Sequence, residues 1–279
     1  MYSSFSEKDP FSPVNYNYFD IIEIHNEDSE FQQIQVFEHP FFGRILALDG
    51  VTQLTTKDEF FYHEMLVHPA MFTHPKPQQV IIIGGGDGGS VREVLKHPYV
   101  ESVTLVEMDM KVIEVCQKFF PKISESINDP KVQIISQDGL KYLQNESFAF
   151  DVAIVDSTDP IGPAKDLFSE YFYALIDKNL DSDGIFVTQS ESLLFHLPHV
   201  TRVQQNLKNL FALSFCYTQA LSTYAGNWWT FSIASKRFDP RQVSRKVQGE
   251  FRYYSPEVHM RAFLPDSIQD ALVSGKLDW

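Results

Sequence analysis

Apolar and polar positions along the chain fall into successive regimes of different period. From about Asp20 to Thr56 the apolar runs are short and strand-like, at Asp20–His25, Phe31–Phe37, Arg44–Leu48 and Val51–Leu54. Turn residues at Asn26–Ser29, His39–Gly43 and Asp49-Gly50 separate them, and Asp-Gly between apolar runs is a strong hairpin signal. This predicts a small antiparallel β domain over residues 1–57, with residues 1–20 given no definite structure. A β unit of this size is not stable alone, so it must pack against its own chain or a second subunit.

At Thr56-Lys57-Asp58-Glu59 the pattern becomes a capping box, with Thr at the N-cap and Glu three residues on. It predicts a helix from Phe60 to Val67, bent or ended near Pro69. Strands then alternate with helices. The strands are Val80–Ile83, Ser102–Glu107, Val132–Ile135, Asp151–Asp156 and Ile185–Gln189; the helices are Ser90–Lys96, Met110–Phe119, Leu140–Gln144, Ser169–Asn179 and His196–Phe211. That alternation is the signature of an α/β domain with a doubly wound parallel sheet, here over residues 58–279. Strands Ser214–Gln219 and Trp228–Ala234 follow. Their connection is too short for a crossover, so they must pair antiparallel.

Composition narrows the field. The 279 residues are 43% hydrophobic, enough for a sizeable core. Cys116 and Cys216 are too few for a disulfide framework and sit in apolar segments, so both read as core thiols. His39, His68, His74 and His97 each precede a proline and look like boundary residues; no metal-ligand spacing is present, and no metal is expected. A net charge of −14 argues against nucleic-acid binding and suits attraction of a polycation. Met1 to Pro13 lacks the features of a signal peptide and no run approaches a membrane span, so the expectation is a cytoplasmic protein without a membrane partner.

In an open α/β sheet, ligands bind beyond the carboxyl ends of the strands. Four successive strand ends here carry carboxylates: Asp87 in IIIGGGDGGS (Ile81–Ser90), Glu107 and Asp109 in VEMD, Asp138 in QDG, and Asp156 and Asp159 in DSTDP. Single acids of this kind commonly cap helices, but capping does not explain the whole set. Gly84, Gly86 and Gly89 match G-x-G-x-x-G, and Glu107 stands where a dinucleotide fold places its ribose-binding acid. Asp87 separates the possibilities. A glycine turn before a helix ordinarily welcomes an anion, whereas a carboxylate inside it repels phosphate and attracts a cation. The expected ligand is an adenosine derivative with a positively charged arm.

GGGDGG, VEMD, QDG, DSTDP followed by Gly162-Pro163, and LDGVTQLTTKDEFFYHEM upstream closely resemble the polyamine aminopropyltransferases of the spermidine synthase type, from about Gln32 to Arg261. The resemblance implies a Rossmann-like, class I methyltransferase-type domain behind an N-terminal β domain that serves oligomerisation or covers the substrate. It implies transfer of an aminopropyl group from decarboxylated S-adenosylmethionine, a co-substrate, to putrescine, with no cofactor. Carried over, Gln32, Gln53 and Asp87 take the donor's arm, Glu107 the ribose hydroxyls, and Asp138 with Gly139 the adenine edge. Tyr62, His63, Asp156, Asp159 and Tyr224 take the diamine, with Asp156 as the principal acid/base group. Ser157, Thr158 and Pro163 belong to a gate loop running to about Phe168, and a homodimer or homotetramer is implied.

The chemistry of a diamine adds further candidates. Tyr224 and Trp229 suit an aromatic wall for the four-carbon linker, while Gln189 and Glu191 could meet the distal ammonium. Tyr224-Ala225-Gly226-Asn227 departs from the family's more usual Tyr-Pro-Ser-Gly or Tyr-Tyr-Gly-Gly, which bears on the choice of amine. Three other readings remain open at this level: another acceptor such as cadaverine, agmatine or spermidine, an S-adenosylmethionine methyltransferase, and a non-catalytic scaffold.

Overall fold

The computed structural model describes residues 3–9, 12–145, 147–224 and 226–279, with Pro163 described by its backbone alone. The N-terminal residues form an antiparallel meander in the order β1 (Ser3–Lys8), β2 (Asn15–Asp28), β3 (Gln33–His39), β4 (Gly43–Leu48) and β5 (Val51–Thr55). The β4–β5 turn has Asp49 at φ 49° and Gly50 at φ 77°, the left-handed pair that matches the twist of a tight hairpin. Strand β1 and the first half of β2 fall in the stretch for which the sequence predicts no definite structure.

One face of this sheet, with Ile34, Val36, Leu46, Leu48 and Leu54, packs against Val112, Val115, Cys116, Phe120 and Ile123. The small β unit therefore does rest on its own chain. Those partners lie on α3 (Met110–Phe119) and in and beside the short α4 (Pro121–Ser124). Both cysteines are buried thiols.

Helix α1 spans Glu59–Thr73, and it differs from expectation at both ends. Asp58, not Thr56, is its N-cap residue, and no capping box forms. Thr56 is still held by the sheet, where its hydroxyl accepts from the Arg44 N–H at 3.1 Å. Asp58 instead accepts from the hydroxyls of Thr55 at 2.6 Å, Ser222 at 2.7 Å and Thr223. The helix also runs through Pro69. Proline has no N–H for the carbonyl four residues back, and that carbonyl, of Met65, accepts from the Tyr217 hydroxyl at 2.7 Å. A residue 152 positions away thus supplies the bond that the local sequence withholds.

The second sheet is built from β6 (Gln79–Gly84), β7 (Ser102–Glu107), β8 (Val132–Ser136), β9 (Phe150–Asp156), β10 (Leu180–Ser192), β11 (Leu213–Ala220) and β12 (Trp228–Ser235). Its spatial order is β11-β12-β10-β9-β6-β7-β8. Strands β6 to β10 pair in parallel, while β12 runs antiparallel to both neighbours. Apolar strands face helices on both sides. Val80, Ile82, Leu105 and Ile154 pack with Met65, Leu66 and Val91 on α1 and α2 (Gly89–Leu95). Ile81, Ile83 and Val155 pack on the opposite side with Leu143 of α5 (Gly139–Asn145), Phe172 and Ile176 of α6 (Glu170–Asn179), and Val203 and Leu207 of α7 (Leu197–Leu210). The order reverses between β6 and β9, so the crevice of the sheet opens there. This is the doubly wound α/β fold with a terminal antiparallel pair. Two further helices, α8 (Pro256–Ala262) and α9 (Asp266–Val273), lie beyond the predicted elements. Among the described residues no helix is long and apolar enough to cross a membrane.

Glu64 of α1 is fully buried. Its carboxylate accepts the backbone N–H groups of Arg252 at 2.7 Å and of Tyr253 and Tyr254 at 2.8 Å, which fastens the C-terminal segment to the helix. Hydrogen bonds to a charged acceptor are the stronger kind. Glu64→Ala is expected to lower stability by about 3 kcal/mol, because three backbone donors, that of Tyr254 buried, lose a buried charged acceptor; a chemical-denaturation midpoint measures it.

Candidate active site

The glycine turn joins β6 to α2 and brings two groups unusually close. A Cβ at Gly84, which sits at φ 78°, would stand 2.2 Å from the Asp156 carbonyl oxygen. A Cβ at Gly89 would stand 2.3 Å from the His63 ring. Between them Asp87 turns its carboxylate inward, only 15% exposed, to line a cavity of about 610 Å³ at the carboxyl ends of the strands. Its Oδ1 accepts from the Gly89 N–H at 2.6 Å and lies 3.4 Å from Nε2 of His63. Burial opposes its charge, but the His63 imidazole and that N–H outweigh burial and hold Asp87 below the usual carboxylate range.

His63 itself is buried and is absent from the cavity wall. Its Nδ1 lies 2.7 Å from Oε2 of Glu59, one turn back on α1, so both ring nitrogens face carboxylates. The expectation of a direct contact with the diamine is therefore replaced by a place behind Asp87. Burial disfavours the charged imidazole, yet Asp87 and Glu59 raise it well above its ordinary value. Glu59 is in turn gripped by Arg92, with Nη1 at 3.0 Å and Nη2 at 2.8 Å from its two oxygens. The sequence reading uses Glu59 only as part of a capping box and does not use Arg92, because only the fold sets α1 against α2.

Asp156 ends β9 opposite Gly84. Its Oδ1 accepts from the Tyr62 hydroxyl at 2.8 Å and its Oδ2 from the Ser90 hydroxyl at 2.6 Å. Burial and then the nearby Asp87 charge raise its proton affinity, against His63 and the two hydroxyl bonds. Tyr62, raised well above its usual value by burial and Asp156, stays a donor. Two neighbouring carboxylates are thus driven apart, one kept ionised and one made a readier proton acceptor. Ser90 closes the quoted glycine motif, yet no pattern in the sequence points its hydroxyl at Asp156.

His63, Asp87 and Asp156 place possible ligand atoms within 4.8 Å of one another. The donor chemistry does not favour a metal there. Both imidazole nitrogens are directed at carboxylates, and each Asp156 oxygen already accepts a hydroxyl.

At the other side of the cavity stand Gln32, Gln53, Glu107, Asp138 and Gly139. Burial pushes the Glu107 carboxyl up to about 7, while its Oε1 accepts from the Asp109 N–H at 2.8 Å. Gln32 donates from Nε2 to Asp109 at 3.0 Å, and Gln53 to the Val51 carbonyl at 3.1 Å. Some strand-end acids do cap helices: Asp109 accepts from Lys111 N–H at 3.1 Å and Asp138 from Lys141 N–H at 2.8 Å. Asp138 still lines the cavity while capping. Gly139 is needed for packing, since a Cβ there would stand 2.4 Å from Ile83.

Beyond Asp156 the cavity is walled by Tyr62, Tyr224 and Trp229. The Tyr62 and Tyr224 rings meet edge to face at 5.6 Å, and Tyr224 and Trp229 lie 4.6 Å apart. The Tyr224 hydroxyl donates to the Gln53 carbonyl, tying the wall to the N-terminal sheet. Of the departing segment, Ala225 lies outside the described residues; the Gly226 N–H donates to the Tyr16 hydroxyl at 2.7 Å. Gln189, Glu191 and Asp159 all line this end. Burial, then Glu191 and Glu7, raise Asp159 well above the usual range, so Asp159 stands with these acids. Ser157 and Thr158 line the cavity, and a 3₁₀ helix, Gly162–Phe168, forms the rest of the loop. Pro163 falls within that helix, its side chain outside the described part. Glu7, Asp9 and His196 also line the cavity without having been singled out from the sequence.

Residues 59–246 match the Spermine/spermidine synthase domain, and residues 12–56 match the Spermidine synthase tetramerisation domain. A polyamine aminopropyltransferase of Hydrogenobaculum sp. (strain Y04AAS1) is 48% identical over 275 residues, covering 99% of this chain and 98% of the relative. That of Bacillus subtilis (strain 168) is 44% identical over 252 residues, covering 89% and 91%. The crystal structure of a spermidine synthase in complex with the transition-state analogue AdoDATO superposes with a TM-score of 0.90 at 36% identity, covering 97% of this chain and 94% of the other. The spermidine synthase from Thermotoga maritima gives 0.88 at 36% identity with the same coverage. With the strand-end carboxylates, the two-sheet fold and these matches in agreement, the chain belongs to the spermine/spermidine synthase family of polyamine aminopropyltransferases.

Proposed function

We propose that this chain transfers the aminopropyl group of decarboxylated S-adenosylmethionine to putrescine, giving spermidine and 5′-methylthioadenosine. The observation that carries the reading is the ionised Asp87 beside the proton-accepting Asp156 in one cavity. Asp87 attracts the ammonium of the donor's arm and repels the carboxylate that S-adenosylmethionine carries in the same place. Selection by an introduced repulsion is an effective form of specificity, and it disfavours the methyltransferase reading.

Glu107 accepts the ribose hydroxyls, Asp138 and Gly139 meet the adenine, and Gln32 and Gln53 border the arm. The attacking amine, with a free pKa of about 10, arrives protonated. Asp156 takes its proton while Tyr62 holds the carboxylate in place. The nitrogen lone pair then attacks the carbon next to the sulfonium in line. The carbon–sulfur bond breaks, and its electron pair stays on sulfur as the neutral thioether. Tyr224 and Trp229 flank the linker. Asp159, Glu191 and Gln189 receive the distal ammonium, and the loop from Ser157 to Phe168 closes the entrance. The match to the tetramerisation domain supports an oligomer. We assign its contacts to the N-terminal sheet, where Phe19 and Phe41 are 66% and 63% exposed, and its form to a homotetramer.

Incubation with decarboxylated donor and putrescine, read by mass detection of spermidine and methylthioadenosine, tests the reaction; best turnover with a different amine would overturn the choice of acceptor. Asp156→Asn keeps the geometry and lowers kcat by about 10²–10⁴, the usual worth of a positioned base. Asp87→Asn erodes discrimination between the two donors by about a hundredfold, roughly two tenfold steps of 1.4 kcal/mol. Calorimetric titration with each donor gives that ratio. Glu107, titrating near 7 without ligand, is protonated below that pH and then loses acceptor capacity for the diol. Affinity for methylthioadenosine therefore falls as pH drops from about 8 to 6, by about tenfold, and Glu107→Gln flattens the dependence.

A further inference from the structure

The amine end of the cavity is closed by groups from three distant parts of the chain. Glu191 sits on an irregularity in β10 between Gln189 and Ser192, at φ 74°. Left-handed backbone is strained for a non-glycine residue, and a bulge re-aims its side chain. Glu191 Oε1 accepts from Gln189 Nε2 at 3.2 Å, and Oε2 lies 2.9 Å from Nδ1 of His196. The other ring nitrogen of His196 lies 3.1 Å from Oδ2 of Asp9, just past β1. Both side chains of this second pair are at most 3% exposed. Glu7 fixes the same strand by accepting from the Thr52 N–H at 3.0 Å.

His196 is the N-cap residue of α7, where the helix dipole disfavours a cation. Burial disfavours it too, yet Glu191 and Asp9 raise His196 above its ordinary value. A buried imidazole between two acids from different sheets ties those sheets together. It also sets one oxygen of Glu191 against the imidazole, and the carboxyl groups of Glu7, Asp159 and Glu191 line this end of the cavity together.

Resting on the aminopropyl-transfer reading above, we infer that His196 and Asp9 form a latch. It orients Glu191 and holds the N-terminal strand over the amine end, and so sets the preference for an acceptor with a second, distal ammonium. These are positioning residues: the latch acts on the far end of the acceptor and leaves the attacking end to Asp156.

The test uses the full-length enzyme and its His196→Gln and Asp9→Asn variants, each assayed with putrescine and with n-butylamine, which lacks the distal charge. The expected result is a putrescine KM raised about tenfold in either variant, the usual scale for breaking a buried charge pair. The kcat and the donor KM stay within about threefold, and kcat/KM for n-butylamine within about twofold. The double variant is no worse than the worse single one, because both break the same latch. Equal losses on the two amines, or an unchanged preference, overturn the inference. Methylthioadenosine binding by calorimetry certifies folding. If His196→Gln does not fold, the nearly isosteric Asp9→Asn decides alone. Wild-type enzyme that transfers to neither amine would instead overturn the functional reading itself.

Discussion

An ionised carboxylate inside a glycine turn is the constraint on which the rest of the site depends. Asp87 occupies the place where this kind of fold ordinarily receives a phosphate, and burial alone would neutralise it. Two things keep it charged: the Gly89 N–H and an imidazole that is itself held cationic by Glu59. Arg92 then braces Glu59 with two hydrogen bonds. The chain of alternating charge runs from the largely buried Arg92 through Glu59 and His63 to the cavity. Each member is stable only because the next compensates it, so the sign of the charge at the cavity wall is set two residues behind it.

That arrangement also assigns roles to two otherwise similar acids. Asp87 has a cationic neighbour and a backbone donor; Asp156 has two hydroxyls and the field of Asp87. The first remains an anion and the second gains proton affinity. On the proposed reading, a diamine entering as a dication meets carboxyl groups at both ends of the cavity, with Asp156 placed to take a proton from the attacking nitrogen. Electrostatic recognition and base catalysis are, on that reading, served by one set of side chains.

Much of this is legible in the sequence because local pattern and fold agree. Parallel strands buried on both faces appear as continuous apolar runs, and their ends mark the site, so Asp87, Glu107, Asp138 and Asp156 are found by position alone. What the sequence conceals is whatever depends on distant partners. Pro69 signals a helix break, but the Tyr217 hydroxyl supplies the missing hydrogen bond to Met65. Thr56 and Glu59 spell a capping box, but Thr56 is retained by β4. His63 lies next to Tyr62 in sequence and yet faces the back of Asp87, since one residue along a helix is a turn of about 100°. His196 and Asp9 meet across 187 residues, a contact no periodicity encodes.

The N-terminal sheet is better understood as part of the active site than as an appendage. Its apolar face is completed by α3, its β5 end is anchored through Thr55 to Asp58, and Asp58 also collects Ser222 and Thr223 from the segment before β12. The Tyr224 hydroxyl then bonds the Gln53 carbonyl, so the aromatic wall of the cavity is fixed to β5. Gln53 and Gln32 reach the cavity from this same sheet. Any change in how the two sheets sit would move both parts of the cavity wall together. On the proposed assignment of the oligomer contacts to the exposed side of the N-terminal sheet, those contacts would steady the geometry of the cavity as well as the assembly.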